Sequence, residues 1–472
     1  MQTSLHKGSQ GVDIGSGEPR PRAADRPAAV PLRVVMLVTN PCINDSRVIK
    51  EAETLAAAGH MVRVVCRETE DAPDREIING VEYLRVKWPR SLSMLRGILA
   101  DRRRYRSPLE RVASVPISIA SLVITAQESV RRAPRTTSRS VLRPVRRFLA
   151  QLLQFSFTRF AMSGAAAEWQ PDVVHAHDLI TLPAAVKTAR RLGARVVYDA
   201  HELEQHRSNP GPLWARLWTR HHEHKYAPLA DRVVTVSDSI ADHLEAELNV
   251  QRPLVVFNSP TVMSDKPGHR DVRGDLSLPD NAPLVFYVGK LTTNRGLEMV
   301  VEALARADEI HFVCVGPRVP IVEQSVRDLA QTLNVQGRLH ILDPVPPDSI
   351  VPYIRTADLS VIPTQDASLS YRYSMPNKLF ESVFAGLPVV VSDLPDMRRF
   401  VERTGTGIVM KQADPKDIAR ALREAYARRA DFALSPERMC KIVGDYGWDT
   451  QGQKLIALYD SLPRRKPDVK AG

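Results

Sequence analysis

Cysteine is scarce in this chain of 472 residues: Cys42, Cys66, Cys314 and Cys440 are all there are, far apart and never as Cys-x-x-Cys. That argues against a zinc site and a disulfide framework, and it fits a reducing cytoplasm. No run approaches the roughly eighteen apolar residues of a membrane-spanning helix. Gly-x-Gly-x-x-Gly is missing after the first strand-like run, which weakens a dinucleotide reading. Aromatic residues make up 6% and are rarely interleaved with the cations, which disfavours nucleic acid as a partner. The N-terminal stretch 1–31 is rich in Gly, Pro, Arg and Asp without an apolar core. It reads as a disordered tail and not as a secretory signal.

What the chain does have is positive charge, +11 in all, and it is unevenly spread. From Lys87 to Arg159 cations come in clusters such as Arg102-Arg103-Arg104 and Arg146-Arg147, against few acids. Within this stretch, Val141 to Leu153 mixes cations with Leu and Phe at helix-like spacing. A basic amphipathic segment of this kind suits an anionic membrane surface. The plain alternative is a solvated insertion, partly packed on its domain. The expectation is a cytoplasmic protein held peripherally at a membrane through residues 87–159.

Outside that insertion, short apolar runs alternate with amphipathic stretches, the pattern of an α/β protein with parallel sheets. Val34–Val38 reads as a strand, Arg47–Ala58 as a helix ended by Gly59, and Val62–Cys66 as the next strand. Such an opening puts a ligand crevice at the carboxyl ends of the strands. Asp172–Asp178 and Ala194–Glu202 are two further strands running into loops, and they bring His177, Asp178, His201 and Glu202 to one sheet edge. These side chains could bind metal, move protons, grip hydroxyls or simply bond the backbone. A second alternating series begins at Pro283–Lys290, with Lys290 and Arg295 on its first loop beside Gly289 and Gly296.

The most informative stretch is Ser374-Met375-Pro376-Asn377-Lys378-Leu379-Phe380-Glu381, followed by Gly386, Pro388 and the strand Val389-Val390-Val391. Pro376 suits the first position of a helix, and Leu379, Phe380 and Val383 give that helix an apolar face. A helix start offers unpaired N–H groups and partial positive charge, which suits a phosphate. One turn in, Glu381 could accept hydrogen bonds from a sugar diol. An ordinary helix–strand connection with a solvated Glu has the same pattern.

This segment resembles the nucleotide-sugar site of the retaining glycosyltransferases of family 4, in particular members carrying Pro-Asn-Lys-Leu-Phe-Glu, and Asp45–Val65 resembles the same family. The resemblance covers roughly Val34 to Leu462 without the basic insertion. It implies the GT-B fold, two Rossmann-like domains facing each other across a cleft, with the last helix crossing back to the first. The expected limits are a tail at 1–31, an acceptor domain at 32–260 with the insertion at about 90–160, and a linker at 261–281. A nucleotide-sugar domain at 282–447 and the returning helix and tail at 448–472 complete the chain.

By the same resemblance, Glu381 binds the ribose of a UDP- or GDP-linked sugar, and Gly289, Ser374, Met375, Asn377 and Lys378 complete the donor side. His177 bonds the donor sugar, and Lys290 and Arg295 neutralise the leaving diphosphate, so no metal and no further cofactor is expected. Family members usually hold Arg and then Lys at these two positions. Here they are exchanged, which keeps the charge but alters its geometry. Asp45, Asp178, His201 and Glu202 are expected on the acceptor side, toward a glycan or lipid-linked acceptor. The chain departs from the family at Tyr373, where a Glu near the donor sugar is usual, and in lacking a glycine pair in the first loop. Two other readings stay open, a glycan- or membrane-binding relative without catalysis and a nucleotide-sugar epimerase of the same architecture.

Overall fold

The computed structural model describes residues 30–87, 158–207, 213–261 and 270–463. The chain forms two sheets. The first contains β1 (Arg33–Leu37), β2 (Met61–Arg67), β3 (Arg75–Ile78), β4 (Val81–Val86), β5 (Val173–His177), β6 (Arg195–Asp199), β7 (Arg232–Thr235) and β8 (Leu254–Val255). They lie in the order β3-β4-β2-β1-β5-β6-β7-β8, parallel except for the β3–β4 hairpin. The second contains β9 (Leu284–Val288), β10 (His311–Val315), β11 (Leu339–Leu342), β12 (Leu359–Ile362), β13 (Val389–Ser392) and β14 (Gly407–Met410). Its order is β11-β10-β9-β12-β13-β14, with every pairing parallel.

Continuous apolar runs become strands here because helices cover both faces of each sheet. On one face of the first sheet, Val48, Ala52 and Leu55 of the helix Ser46–Ala57 pack with Trp448, Leu455, Leu458 and Tyr459. The last four belong to the C-terminal helix Trp448–Asp460, which therefore completes the core of the first domain. Leu182, Val186, Ile240 and Leu244 cover the other face. In the second domain the helices Leu297–Leu304 and Pro415–Ala427 lie on one side, and Asn377–Phe384, Pro395–Thr404 and Pro436–Tyr446 on the other. This is the two-domain α/β fold with a returning helix that the sequence predicts.

Strand order reverses at β1/β5 in the first sheet and at β9/β12 in the second. Crevices for ligands open at such switch points. The first holds the start of the helix Ser46–Ala57 and the end of β5 at His177; the second holds the loop after β9 and the segment after β12.

Several details differ from the sequence expectation. The run Pro253–Pro260 yields only the two-residue β8. Part of the expected linker forms the helix Val272–Leu276, because Val272 is buried under the second sheet and Arg273 bonds the carbonyls of Thr356, Pro279 and Ala282. Pro376 stands one position before its helix, as the N-cap with φ −77° and ψ 143°, because its extended backbone turns the chain into Asn377. The basic stretch 88–157 lies outside the described residues.

Leu455 is fully buried between the returning helix and the first sheet. Leu455→Ala is expected to cost about 2–5 kcal/mol. Thermal unfolding checks this: the melting temperature falls in Leu455→Ala and stays unchanged in Ile321→Ala, at a position 78% exposed.

Candidate active site

The wall contributed by the first domain is built around Asp199, at the end of β6. Arg47, in the first turn of its helix, donates to both carboxylate oxygens, from Nε at 2.8 Å and from a terminal nitrogen at 2.7 Å. The same guanidinium bonds the Val256 carbonyl at 2.9 Å and lies 3.1 Å from Glu51, one turn along. Arg47, Glu51 and Asp199 are all buried. A buried charge is stable only when paired and hydrogen-bonded, and here two carboxylates share one fork of donors. Burial opposes ionisation of Asp199, yet Arg47 and the neighbouring histidines hold its carboxyl well below the usual range.

His177 turns Nδ1 to Asp199 at 3.0 Å and stacks on His175, with ring centroids 4.4 Å apart. Burial pulls the His177 pKa down, but the Asp199 hydrogen bond and the Glu51 charge outweigh it, so the net shift is upward. His175 goes the other way, well below its ordinary value, through burial and the adjacent His177. It is therefore neutral. Its Nδ1 lies 2.8 Å from the Tyr459 hydroxyl of the returning helix and its Nε2 3.7 Å from Glu51. The Nε2 of His177 is buried and has no hydrogen-bond partner among the described residues. The Glu51 carboxylate oxygens, His175 Nε2 and His201 Nδ1 are likewise buried without a hydrogen bond among the described residues.

Glu51, His175, His177 and Asp199 each bring one potential metal-ligand atom within 4.8 Å of the others. Arg47 already supplies positive charge to both carboxylates of that group.

The second wall starts from Gly289, at φ +132°, where the chain leaves β9. A side chain at Gly316 would collide with the Gly289 carbonyl, so the two loops pass backbone to backbone. The Lys378 ammonium lies against this turn, 3.1 Å from where a Gly289 Cβ would stand and 3.9 Å from the Tyr287 ring centroid. Burial, then repulsion from Arg295, lowers the Lys378 pKa to about 7. The Arg295 guanidinium lies over the Tyr371 ring at 5.0 Å, and Lys290 is exposed. Among the described residues, none of Lys290, Arg295 and Lys378 forms an ion pair with a carboxylate. Nor do the leading N–H groups of Asn377 and Lys378 find an acceptor.

Glu381 lies one turn beyond Lys378. Burial raises its pKa to about 7, against the pull of Lys378 and of Lys50 from the first domain. Lys50 stands on the same helix as Arg47, donates to the Ser259 carbonyl at 2.6 Å and stacks over Trp448 at 4.6 Å. The two walls thus face each other through Lys50 and Glu381.

Other predicted residues have local work. Ser374 donates both its N–H and its hydroxyl to the Tyr371 carbonyl, and the Met375 side chain is buried in the core under the helix Asn377–Phe384. Asp45 caps the helix Ser46–Ala57 by accepting from Val48 N–H and also accepts from Asn40. His201 bridges Asp199 at 3.4 Å and Asp178 at 3.3 Å. Burial would lower its pKa, but those carboxylates raise it to about 10. Glu202 is exposed and pairs with Arg207 at 3.0 Å. Tyr373 packs against the first domain: Ser237 donates to its carbonyl at 2.7 Å and His243 lies 6.3 Å from its ring. Sequence reading missed Arg47, Glu51 and Asp199. The available signal for the first two was a cation and an acid at i and i+4 on the same helix face as the apolar Val48, Ala52 and Leu55.

Residues 47–261 match the family model described as a glycosyl transferase 4-like domain, and residues 282–428 match the one described as glycosyl transferases group 1. The D-inositol 3-phosphate glycosyltransferase of Geodermatophilus obscurus is 26% identical over 309 residues, 61% of this chain and 66% of that protein. Its counterpart in Xylanimonas cellulosilytica is 23% identical over 335 residues, 67% of this chain and 78% of that protein. The match therefore spans just under two thirds of the first relative's own length and rather more of the second's. Among solved structures, sucrose-phosphate synthase from Thermosynechococcus elongatus superposes with a TM-score of 0.66 at 17% identity, covering 91% of this chain and 98% of that one. Anabaena HepE in complex with UDP-glucose gives 0.61 at 12% identity, covering 91% and 100%. At these identities the likeness establishes the fold.

The raised pKa of Glu381 has a direct consequence for stability. A raised group contributes its stability in full below the unfolded value, near 4.5, and loses it as pH rises through about 7. Glu381→Gln, neutral at every pH, is therefore expected to melt about 2–4 °C above the wild type at alkaline pH, a gain that disappears in acid. Melting curves across that range check the sign.

Proposed function

We propose that this chain, whose residues 47–261 match the glycosyl transferase 4-like model and 282–428 the group 1 model, is a retaining glycosyltransferase. In this reading it moves a sugar from a nucleoside-diphosphate donor to a glycan or lipid-linked acceptor at a membrane face. The observation that carries this reading is the Lys378 ammonium held against the Gly289 turn, with Arg295 near enough to repel it and, among the described residues, no carboxylate ion-paired to either. Cleavage of the anomeric C–O bond leaves negative charge on the departing diphosphate while the sugar becomes oxocarbenium-like. Fixed cations and free N–H groups stabilise that charge best, since they need no reorganisation at the moment of reaction. Lys378 is the strongest candidate, being already stripped of water; Arg295 and Lys290 close the anion from the loop.

Glu381 accepts hydrogen bonds from the ribose diol. His177, oriented by its Nδ1 contact to Asp199, turns its unpartnered Nε2 to a hydroxyl of the donor sugar. The cations do the work a divalent ion would do at the diphosphate, so turnover is metal-independent. The HepE neighbour was solved with UDP-glucose, which favours a UDP-sugar as donor. The family relatives are named for D-inositol 3-phosphate, so phosphorylated polyols belong in the acceptor panel. One observation favours a second reading, a relative that binds donor without turnover: Tyr373 stands where a carboxylate is usual and packs on the opposite domain.

A panel of sugar nucleotides, read by nucleoside-diphosphate release with and without acceptors, separates these readings. Release with acceptor and a product of unchanged anomeric configuration supports transfer; binding without release supports the second reading. Lys378→Met and Glu381→Ala are each expected to weaken donor binding by about 10–100-fold, the range for losing a charged hydrogen bond. Turnover is expected to be unchanged in EDTA, and loss of activity restored by Mg2+ would falsify the metal-independent step.

A further inference from the structure

We infer that the helix Leu213–Tyr226 of the first domain docks on an anionic lipid surface. The inference deepens the reading of an acceptor carried at a membrane face and rests on it. Leu213, Leu217 and Arg220 are spaced i, i+4 and i+7, so they form one exposed stripe along this helix. Leu213 is 68% exposed and Leu217 56%, large values for leucines on a folded domain. Arg216 and His221 flank the stripe and are exposed, as is Lys225.

The inner side of the helix is buried through Ala215, Glu223 and Tyr226. Glu223 is the helix's sole acid, and it is spent inward: it accepts from the Tyr198 hydroxyl at 3.2 Å and from Gln205 at 2.9 Å. The outward face therefore carries leucines and cations and no acid. Among the described residues, Arg216 and Arg220 make no ion pair. Exposed leucines beside exposed arginines fit the headgroup region of an anionic bilayer, where apolar side chains enter the acyl boundary and cations stay with the phosphates. Trp214 and Trp218, both half-buried on the same helix, are residues of the kind that favours this interface.

The position of the helix links it to the reaction. It packs on the turn Glu204–His206, which directly follows His201 and its contacts to Asp199 and Asp178. A headgroup-linked acceptor rising from a membrane under this helix meets the cleft at that rim. The basic stretch 87–159 is a separate candidate for the same surface, and the experiment keeps the two apart.

The test uses the full chain, sedimented with vesicles of phosphatidylcholine alone or mixed with phosphatidylglycerol, at low and high salt. Two double variants are compared with the wild type, Leu213→Ser with Leu217→Ser, and Arg216→Gln with Arg220→Gln. All four positions are exposed, so an unchanged melting temperature and unchanged nucleotide binding serve as controls for folding. The expected result is salt-sensitive wild-type binding to the mixed vesicles alone, reduced about tenfold or more in each double variant. Wild-type-like binding by both variants overturns this assignment while leaving the membrane reading standing with the basic stretch. Loss in the arginine variant alone overturns lipid insertion in favour of an acidic partner. Absence of wild-type binding to any vesicle overturns the membrane reading and this inference together.

Discussion

Uncompensated positive charge at the start of a buried helix is the constraint round which the second domain is arranged. Lys378 sits on the helix Asn377–Phe384, whose Leu379, Phe380 and Val383 are locked into the core, so its ammonium has little freedom to move out to solvent. It is held against a tyrosine face and a glycine backbone, neither of which carries a full negative charge. Desolvation of that charge costs stability, and only an arriving anion restores what burial removes. The glycines follow from this. A side chain at Gly289 would crowd the ammonium, and one at Gly316 would push the Gly289 turn off its place.

The first domain solves the opposite problem. Its buried charges are matched among themselves, Arg47 against Asp199 and Glu51, with the surplus negative charge taken up by His177 and His201. One wall is thus electrostatically closed and rigid, and the other is open to a ligand. The returning helix ties the two together, because its Tyr459 reaches His175 and its Trp448 carries Lys50, which after Lys378 pulls on the Glu381 carboxyl. A helix at the far end of the chain therefore sets the geometry behind His177.

Much of the architecture could be read from the sequence because local patterns decide it. Val34–Val38 and Val389–Val391 are apolar enough to be strands in almost any setting, and Gly59 and Gly386 end their helices by adopting positive φ. The hairpin β3–β4 was not legible, since Ile77 and Ile78 are exposed on an edge strand and give no alternating inward face. The site was legible in part. His177 and Glu381 announce themselves as polar residues at the ends of apolar elements. Arg47 and Glu51 do not, because a charged residue on a helix reads as solvated until something covers it, and Asp199 at the end of β6 gains its role only from them. Here the cover comes from residues as distant as Val256 and Tyr459. Lys378 is legible on the donor side only through the family resemblance, since its burial depends on Tyr287 and Gly289, and the local bond of Ser374 to Tyr371 is not legible at all.

A crystal structure of the protein grown with UDP tests the central claim most directly. The predicted result has the diphosphate within hydrogen-bond distance of the Lys378 ammonium and the N–H groups of Asn377 and Lys378, with the ribose hydroxyls on Glu381. A nucleotide bound elsewhere, with Lys378 still enclosed by Tyr287 and Gly289, would contradict it.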